Sequence, residues 1–158
     1  EGKSTVLSFL AGELEATDGN VHWYGNQPST YYFKQEVDPD SYKPFDVLSG
    51  GEKRRVAIAR ALMQKPKILL ADEIVSELDH VTAREIMDLI ADAQEKFNLI
   101  AIMVHHDIQL ALEYANRVAV IDKGEKILEI GVEGDKIIDF QTGNLTRQEI
   151  LEMYSNES

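Results

Sequence analysis

Lys67-Ile68-Leu69-Leu70-Ala71-Asp72-Glu73 is the stretch on which the fold turns. Its four consecutive apolar residues do not alternate, so they read as a strand buried on both faces. Strands of that kind build parallel sheets covered by helices, and such sheets gather their ligands at the carboxyl ends of the strands. Here that end carries two adjacent acids, Asp72 and Glu73. Just upstream, Ser49-Gly50-Gly51-Glu52 opens a helix running to about Gln64. Its Ser-x-x-Glu spacing is that of a capping box, in which each side chain takes an otherwise orphaned backbone N–H. Downstream, a helix over about 81–96 places Ile86, Leu89, Ile90 and Ala93 on one face, and Leu99 to Val104 is a second all-apolar strand.

The same alternation covers the flanks. Residues 3 to 11 read as a helix ending near Gly12, while Val21-His22-Trp23-Tyr24 and Tyr31-Tyr32-Phe33 read as strands. Residues 36 to 48, with Asp38-Pro39-Asp40 and Lys43-Pro44, read as loop. Asp107 begins a helix to Tyr114, strands at 117–122 and 126–130 flank Lys123-Gly124, and Thr146-x-x-Glu149 opens a last short helix. The expected fold is α/β, a buried, largely parallel sheet flanked by helices.

Bulk properties narrow the function. A chain of 158 residues, 44% hydrophobic and 28% charged, has the size and composition of one globular domain. No apolar run reaches the roughly 18 residues that a membrane span requires. The opening Glu1-Gly2-Lys3-Ser4 carries neither a secretory pattern nor an initiator Met, and we expect sequence upstream of it. With no Cys there is no disulfide framework and no thiolate metal site, which points to a reducing, cytoplasmic setting. The net charge of −12 argues against nucleic acid and anionic lipid as partners. It does not argue against a phosphate ligand, which needs only a few aimed N–H groups and one Lys.

Gly2-Lys3-Ser4-Thr5 matches the end of the P-loop pattern G-x-x-x-x-G-K-[ST]. In that pattern backbone N–H groups wrap the phosphates, Lys reaches the β and γ oxygens and the hydroxyl holds Mg²⁺. Four residues alone also occur in solvated loops. Ser49, Gly50 and Gly51 at a helix start leave bare N–H groups where an anion can approach, although many helices simply begin this way. Asp72 and Glu73 fit a metal ligand and a general base, or two solvated acids. His105 and His106 are adjacent at a strand end, so they point differently and make a poor metal pair.

Taken together, these segments resemble the ABC-type ATPase family. Leu48-Ser49-Gly50-Gly51-Glu52, followed by Lys53-Arg54-Arg55-Val56-Ala57-Ile58-Ala59-Arg60-Ala61-Leu62, is similar to the family's signature motif and helix. Lys67 to Glu73 resembles the Walker B motif, Ser76-Glu77-Leu78-Asp79 the D-loop, Val104-His105-His106-Asp107 the switch region and Tyr32-Phe33-Lys34-Gln35 the strand into the Q-loop. The resemblance runs from Gly2 to about Gly131 and implies a P-loop NTPase core of ABC type over 1–131, with a C-terminal extension over 132–158.

It further implies ATP and Mg²⁺ as ligands. Gly2, Lys3, Ser4, Thr5 and Gln35 would bind nucleotide on one chain, and Ser49, Gly50, Gly51 and Glu52 would do so from the partner. Ser4, Gln35 and Asp72 would hold the metal, and Glu73 and His106 would be catalytic. Ser76 and Asp79 would lie at the interface of an ATP-sandwich dimer, with itself or a homologous subunit. The implied function is ATP hydrolysis powering a transmembrane transporter, by a subunit lying on the cytoplasmic face of the cell membrane.

Some features depart from the family. Ile74-Val75 stands where Pro commonly follows the catalytic Glu. The start of the P-loop is absent, and residues 36 to 48 cannot hold the helical subdomain expected there, since even a helix pair with its turn needs about 25 residues. Either the chain is a reduced or engineered core, or it is the ordered part of a longer protein, and we expect the latter. Two other readings stay open: a soluble ABC-type ATPase (ribosome, DNA-end or iron–sulfur assembly related), and a degenerate, non-hydrolysing ABC domain. The stretch Gln64 to Glu73 resembles prokaryotic transporter subunits, among them those that import phosphonates or move lipoproteins.

Overall fold

In a computed structural model, which describes residues 2–33, 49–133, 136–139 and 143–154, the apolar run is strand β2 (Ile68–Asp72), buried at every residue. It lies between β1 (Thr30–Phe33) and β3 (Ile100–Val104), parallel to both. The register sets Phe33 opposite Ala71 and Asp72 opposite Val104. Because side chains alternate along a strand, Ile68 and Leu70 share one face. That face packs with Leu7 of helix α1 (Lys3–Leu10) and with Val104, and Leu10, Ala11, Trp23, Tyr32 and Ile102 pack around them. β3 is less covered than its sequence suggests: Ile100 is exposed and only Val104 is buried, since β3 is the last strand of this sheet among the described residues.

Helix α2 (Gly50–Met63) begins with the expected capping box, Ser49 and Glu52 bonding each other's backbone N–H. Helix α3 (His80–Phe97) buries Ala83, Ile86, Met87, Ile90 and Ala93, while Leu89 is half-buried. It ends at Asn98, whose left-handed backbone (φ 50°) stops the helix. The two helices pack on each other, and Gly51 makes room for Thr82: a Cβ there would lie 2.5 Å from the Thr82 methyl.

One expected strand does not form. Val21 to Tyr24 is irregular, and no strand pairs with it among the described residues. Trp23 turns onto the core beside Leu7, whereas Tyr24 stands in solvent before Gly25, whose φ of +98° bends the chain. Burial of one aromatic, not strand pairing, sets this segment. The 36–48 loop lies outside the described residues.

The chain divides into two compact units, one of residues Ser4–Val104 and one of Glu1–Lys3 with His105–Ser158. The second holds helix α4 (Ile108–Tyr114), strands β4 (Arg117–Asp122), β5 (Glu125–Glu133), β6 (Lys136–Asp139) and β7 (Gly143–Leu145), and helix α5 (Arg147–Tyr154). Its four strands form an antiparallel sheet in chain order. Lys123 and Gly124 turn the β4–β5 hairpin with φ of 47° and 84°, as a two-residue primed turn requires. Leu112, Leu128, Ile130, Val132, Ile137 and Ile150 make one core here, so residues beyond 131 are integral to this unit.

Four carboxylates tie these elements down, Glu52, Asp79 and Glu149 exposed and Glu129 half-buried. Glu52 is held below its ordinary pKa by the Ser49 N–H and hydroxyl, and Asp79, which caps α3, by the Thr82 N–H and hydroxyl. Glu149 is held low by the Thr146 hydroxyl and N–H, and Glu129 by Lys126 and Arg117. Each therefore keeps its charge to lower pH in the folded chain than in the unfolded one. Their stabilisation is complete above the unfolded carboxylate range and is lost as pH falls through the lower folded values. Thermal melts should accordingly show Tm holding from neutrality down to about pH 5 and dropping below about pH 4.5. A Tm that rises on acidification across this window would contradict these assignments.

Candidate functional site

The parallel pairing carries Asp72 to the carboxyl end of β2, where the first turn of α1 meets it. Ser4 Oγ donates to Asp72 Oδ1 at 3.0 Å. The Tyr32 hydroxyl donates to Asp72 Oδ2 at 3.3 Å and in turn accepts from Ser8 Oγ at 3.3 Å. A buried carboxylate costs free energy unless its oxygens find donors, and here both oxygens have one. Gly2, with φ of +92°, delivers the chain into α1, and Lys3 is its first helical residue. The leading N–H groups of a helix lack intrahelical acceptors, so this end suits an anion. Ser4 and Thr5 are exposed there, and Lys3 is half-buried.

Glu73 follows Asp72 out of the strand with φ of 50°. Its N–H donates to the Val104 carbonyl at 3.2 Å, which carries the β2–β3 ladder one residue further. Its carbonyl accepts from the Ser76 N–H at 3.0 Å and the Ser76 hydroxyl at 2.6 Å. Ile74 and Val75 bury their side chains beneath this turn, and the next segment reaches the start of α2: Leu78 lies against Gly50, and Thr82 against Gly51. The acidic strand end and the Ser49–Glu52 helix start are thus joined through residues 74 to 82.

The remaining candidates are placed as follows. Asp79 accepts from the N–H groups of Val81 and Thr82 at 3.0 Å and from the Thr82 hydroxyl at 2.7 Å. The Ser49 hydroxyl donates to the Glu52 carboxylate at 2.8 Å and accepts from the Glu52 N–H. His105 Nδ1 accepts from the Asp107 N–H at 2.8 Å, a local bond that shapes the entry into α4. His106 is exposed just before Asp107, the α4 N-cap, in the second unit. Gln35 lies outside the described residues.

Sequence reasoning passed over Tyr32 and Ser8 as site residues. The i, i+4 spacing of Ser4 and Ser8, which puts both hydroxyls on one face of α1, was the available signal. As for a metal, the Ser4 hydroxyl and the Asp72 carboxylate are hard oxygen donors already in contact. That donor chemistry fits Mg²⁺.

A parallel sheet whose central strand ends in a buried Asp, held by the hydroxyl of a Gly-Lys-Ser-Thr helix start, is an arrangement suited to a phosphate ligand and its metal ion. Comparisons agree. Residues 33–76 match the family model described as ABC transporter. The phosphonates import ATP-binding protein PhnC of Caulobacter vibrioides is 37% identical over 164 residues, covering 99% of this chain and 58% of that protein. The PhnC of Lactococcus lactis subsp. lactis is 47% identical over 89 residues, 56% of this chain and 36% of its own length. The molybdenum import ATP-binding protein ModC of Vibrio parahaemolyticus is 41% identical over 115 residues, 70% of this chain and 31% of that protein. This chain therefore spans between about a third and three-fifths of these relatives.

Among solved structures, a nucleotide-free ATP-binding cassette from an ABC transporter superposes with TM-score 0.70 at 19% identity, over 84% of this chain and 77% of that one. The cbiO1 subunit from Clostridium perfringens superposes with TM-score 0.69 at 23% identity, over 81% and 72%. Both likenesses speak to the fold. The chain belongs to the ABC transporter ATP-binding family.

Proposed function

We propose that this chain hydrolyses ATP as the nucleotide-binding subunit of an ABC transporter. The observation that carries the reading is the Ser4–Asp72 hydrogen bond, which joins the phosphate-binding helix start to the acidic strand end. Lys3 and the N–H groups at the start of α1 bind the β and γ phosphates, with Gly2 and Thr5 completing that turn. Mg²⁺, with Ser4, Asp72 and Gln35 as its protein ligands, supplies charge neutralisation on the phosphate oxygens when bound. Glu73 takes the proton of the attacking water, and His106 serves the γ-phosphate end of the reaction. Phosphoryl transfer to water then rests on positioning and charge, without a covalent intermediate.

Ser49, Gly50, Gly51 and Glu52 act on the nucleotide of a second subunit, in a head-to-tail dimer with the 76–79 loop at its interface. Closure around ATP and reopening after hydrolysis drive the membrane partner. The relatives above are named as import proteins, which supports an importer acting from the cytoplasmic face. Among the described residues no helix is long and apolar enough to cross a membrane, so the pore belongs to that partner in this reading.

Calorimetric titration with a non-hydrolysable ATP analogue tests the site. Binding should tighten when Mg²⁺ replaces EDTA, and Lys3→Ala should weaken it by about 10–100-fold, the worth of a charge-assisted contact. Binding indifferent to both changes would place nucleotide elsewhere or nowhere.

A further inference from the structure

We infer that Ser76 is a positioning residue for Glu73, fixing the direction in which the proposed general base leaves the sheet. The inference rests on the reading of Glu73 given above. Glu73 has φ of 50°, in the left-handed region that a residue with a Cβ occupies only when its surroundings hold it there. Two clamps do so. On the amino side its N–H is bound to the Val104 carbonyl, and on the carboxyl side its carbonyl takes both the N–H and the hydroxyl of Ser76. With both peptide planes fixed, the Cα–Cβ direction is fixed too.

The Ser76 hydroxyl matters more here than the backbone bond alone suggests. Residues 73–76 close as a β-turn through the Ser76 N–H to the Glu73 carbonyl. Pro at the second position would pre-set such a turn by locking its φ. This chain has Ile74 there, where the family it resembles commonly has Pro. The turn is held instead by the 2.6 Å bond from Ser76 Oγ and by the burial of Ile74 and Val75. A side-chain hydroxyl three residues downstream does the work of the missing ring.

Steady-state kinetics and analogue binding on four variants test this. Ser76→Ala should lower kcat by about tenfold, because a small misplacement of a base is costly, and leave the affinity for the Mg²⁺–analogue complex within about twofold. Ser76→Thr, which restores the hydroxyl, should keep kcat near wild type. In a Glu73→Gln background, adding Ser76→Ala should slow the residual rate by less than about twofold, since no base is left to misplace. The inference is overturned if Ser76→Ala leaves kcat unchanged or weakens binding as much as it slows turnover. It is equally overturned if Thr fails as Ala does, or if the double variant multiplies the two losses. A wild-type protein that binds the analogue only without Mg²⁺ dependence, or not at all, overturns the parent reading instead.

Discussion

Glu73→Gln should all but abolish phosphate release, by about 10²–10⁴-fold, while ATP binding persists. The substitution keeps the size and shape of the side chain, so the left-handed turn and its bonds to Val104 and Ser76 survive. What it removes is the carboxylate to which the proposed mechanism gives the proton of the attacking water. In the proposed site the phosphate contacts come from the start of α1 and the metal donors are Ser4 and Asp72, so neither would depend on Glu73. The expected signature is therefore loss in kcat with affinity intact. Single-turnover hydrolysis beside equilibrium binding of the analogue measures both. Loss of binding together with turnover would mean that Glu73 holds the site's structure and does not act in the chemistry.

The second large effect falls where α2 crosses α3. Gly51→Ala should lower stability by about 1–3 kcal/mol, the cost of overpacking a tight contact. A Cβ at this position would lie 2.5 Å from Thr82 Cγ2, closer than non-bonded carbon atoms approach. The Thr82 side chain cannot swing away without loss, since its hydroxyl donates to the Asp79 carboxylate that caps α3. One of the helices must shift, and α2 carries Ser49 to Glu52 at its start. Thr82→Ser removes the offending methyl and keeps the hydroxyl, so the double variant should recover most of the lost Tm. Denaturation of the two variants in parallel reads this directly; a Gly51→Ala protein as stable as wild type would show that the helices pack less closely than described.

Much of the fold was legible in sequence because its signals are local. Four unbroken apolar residues gave β2, the Ser-x-x-Glu spacing gave the start of α2, and period-3.6 burial gave α3. Lys123-Gly124 marked the turn between β4 and β5. Val21 to Tyr24 failed because four residues of strand-like composition form no strand without a partner, and pairing is a long-range property. Beyond Gly131 the pairing of β6 and β7 and the burial of Ile137 and Ile150 rest on contacts that no motif announces.

The site divides along the same line. Asp72, Glu73, Ser4 and the Ser49–Glu52 segment were picked out by residue type and spacing. The Tyr32 and Ser8 hydroxyls were not, because Tyr32 reaches Asp72 through the β1–β2 register, which sets Tyr32 opposite Leu70. Nor was the Ser76–Glu73 bond. Ser76 drew notice only as part of a loop facing another subunit, and no spacing rule pointed to the bond from its hydroxyl to the Glu73 carbonyl.

The most direct test of the ATPase reading is continuous phosphate release from Mg²⁺–ATP, followed over a range of protein concentrations with Glu73→Gln as the blank. We predict Mg²⁺-dependent turnover whose rate per chain rises with concentration, because in the proposed dimer each complete site draws Ser49 to Glu52 from a second subunit. Release no faster than that of the Glu73→Gln protein at every concentration would contradict it.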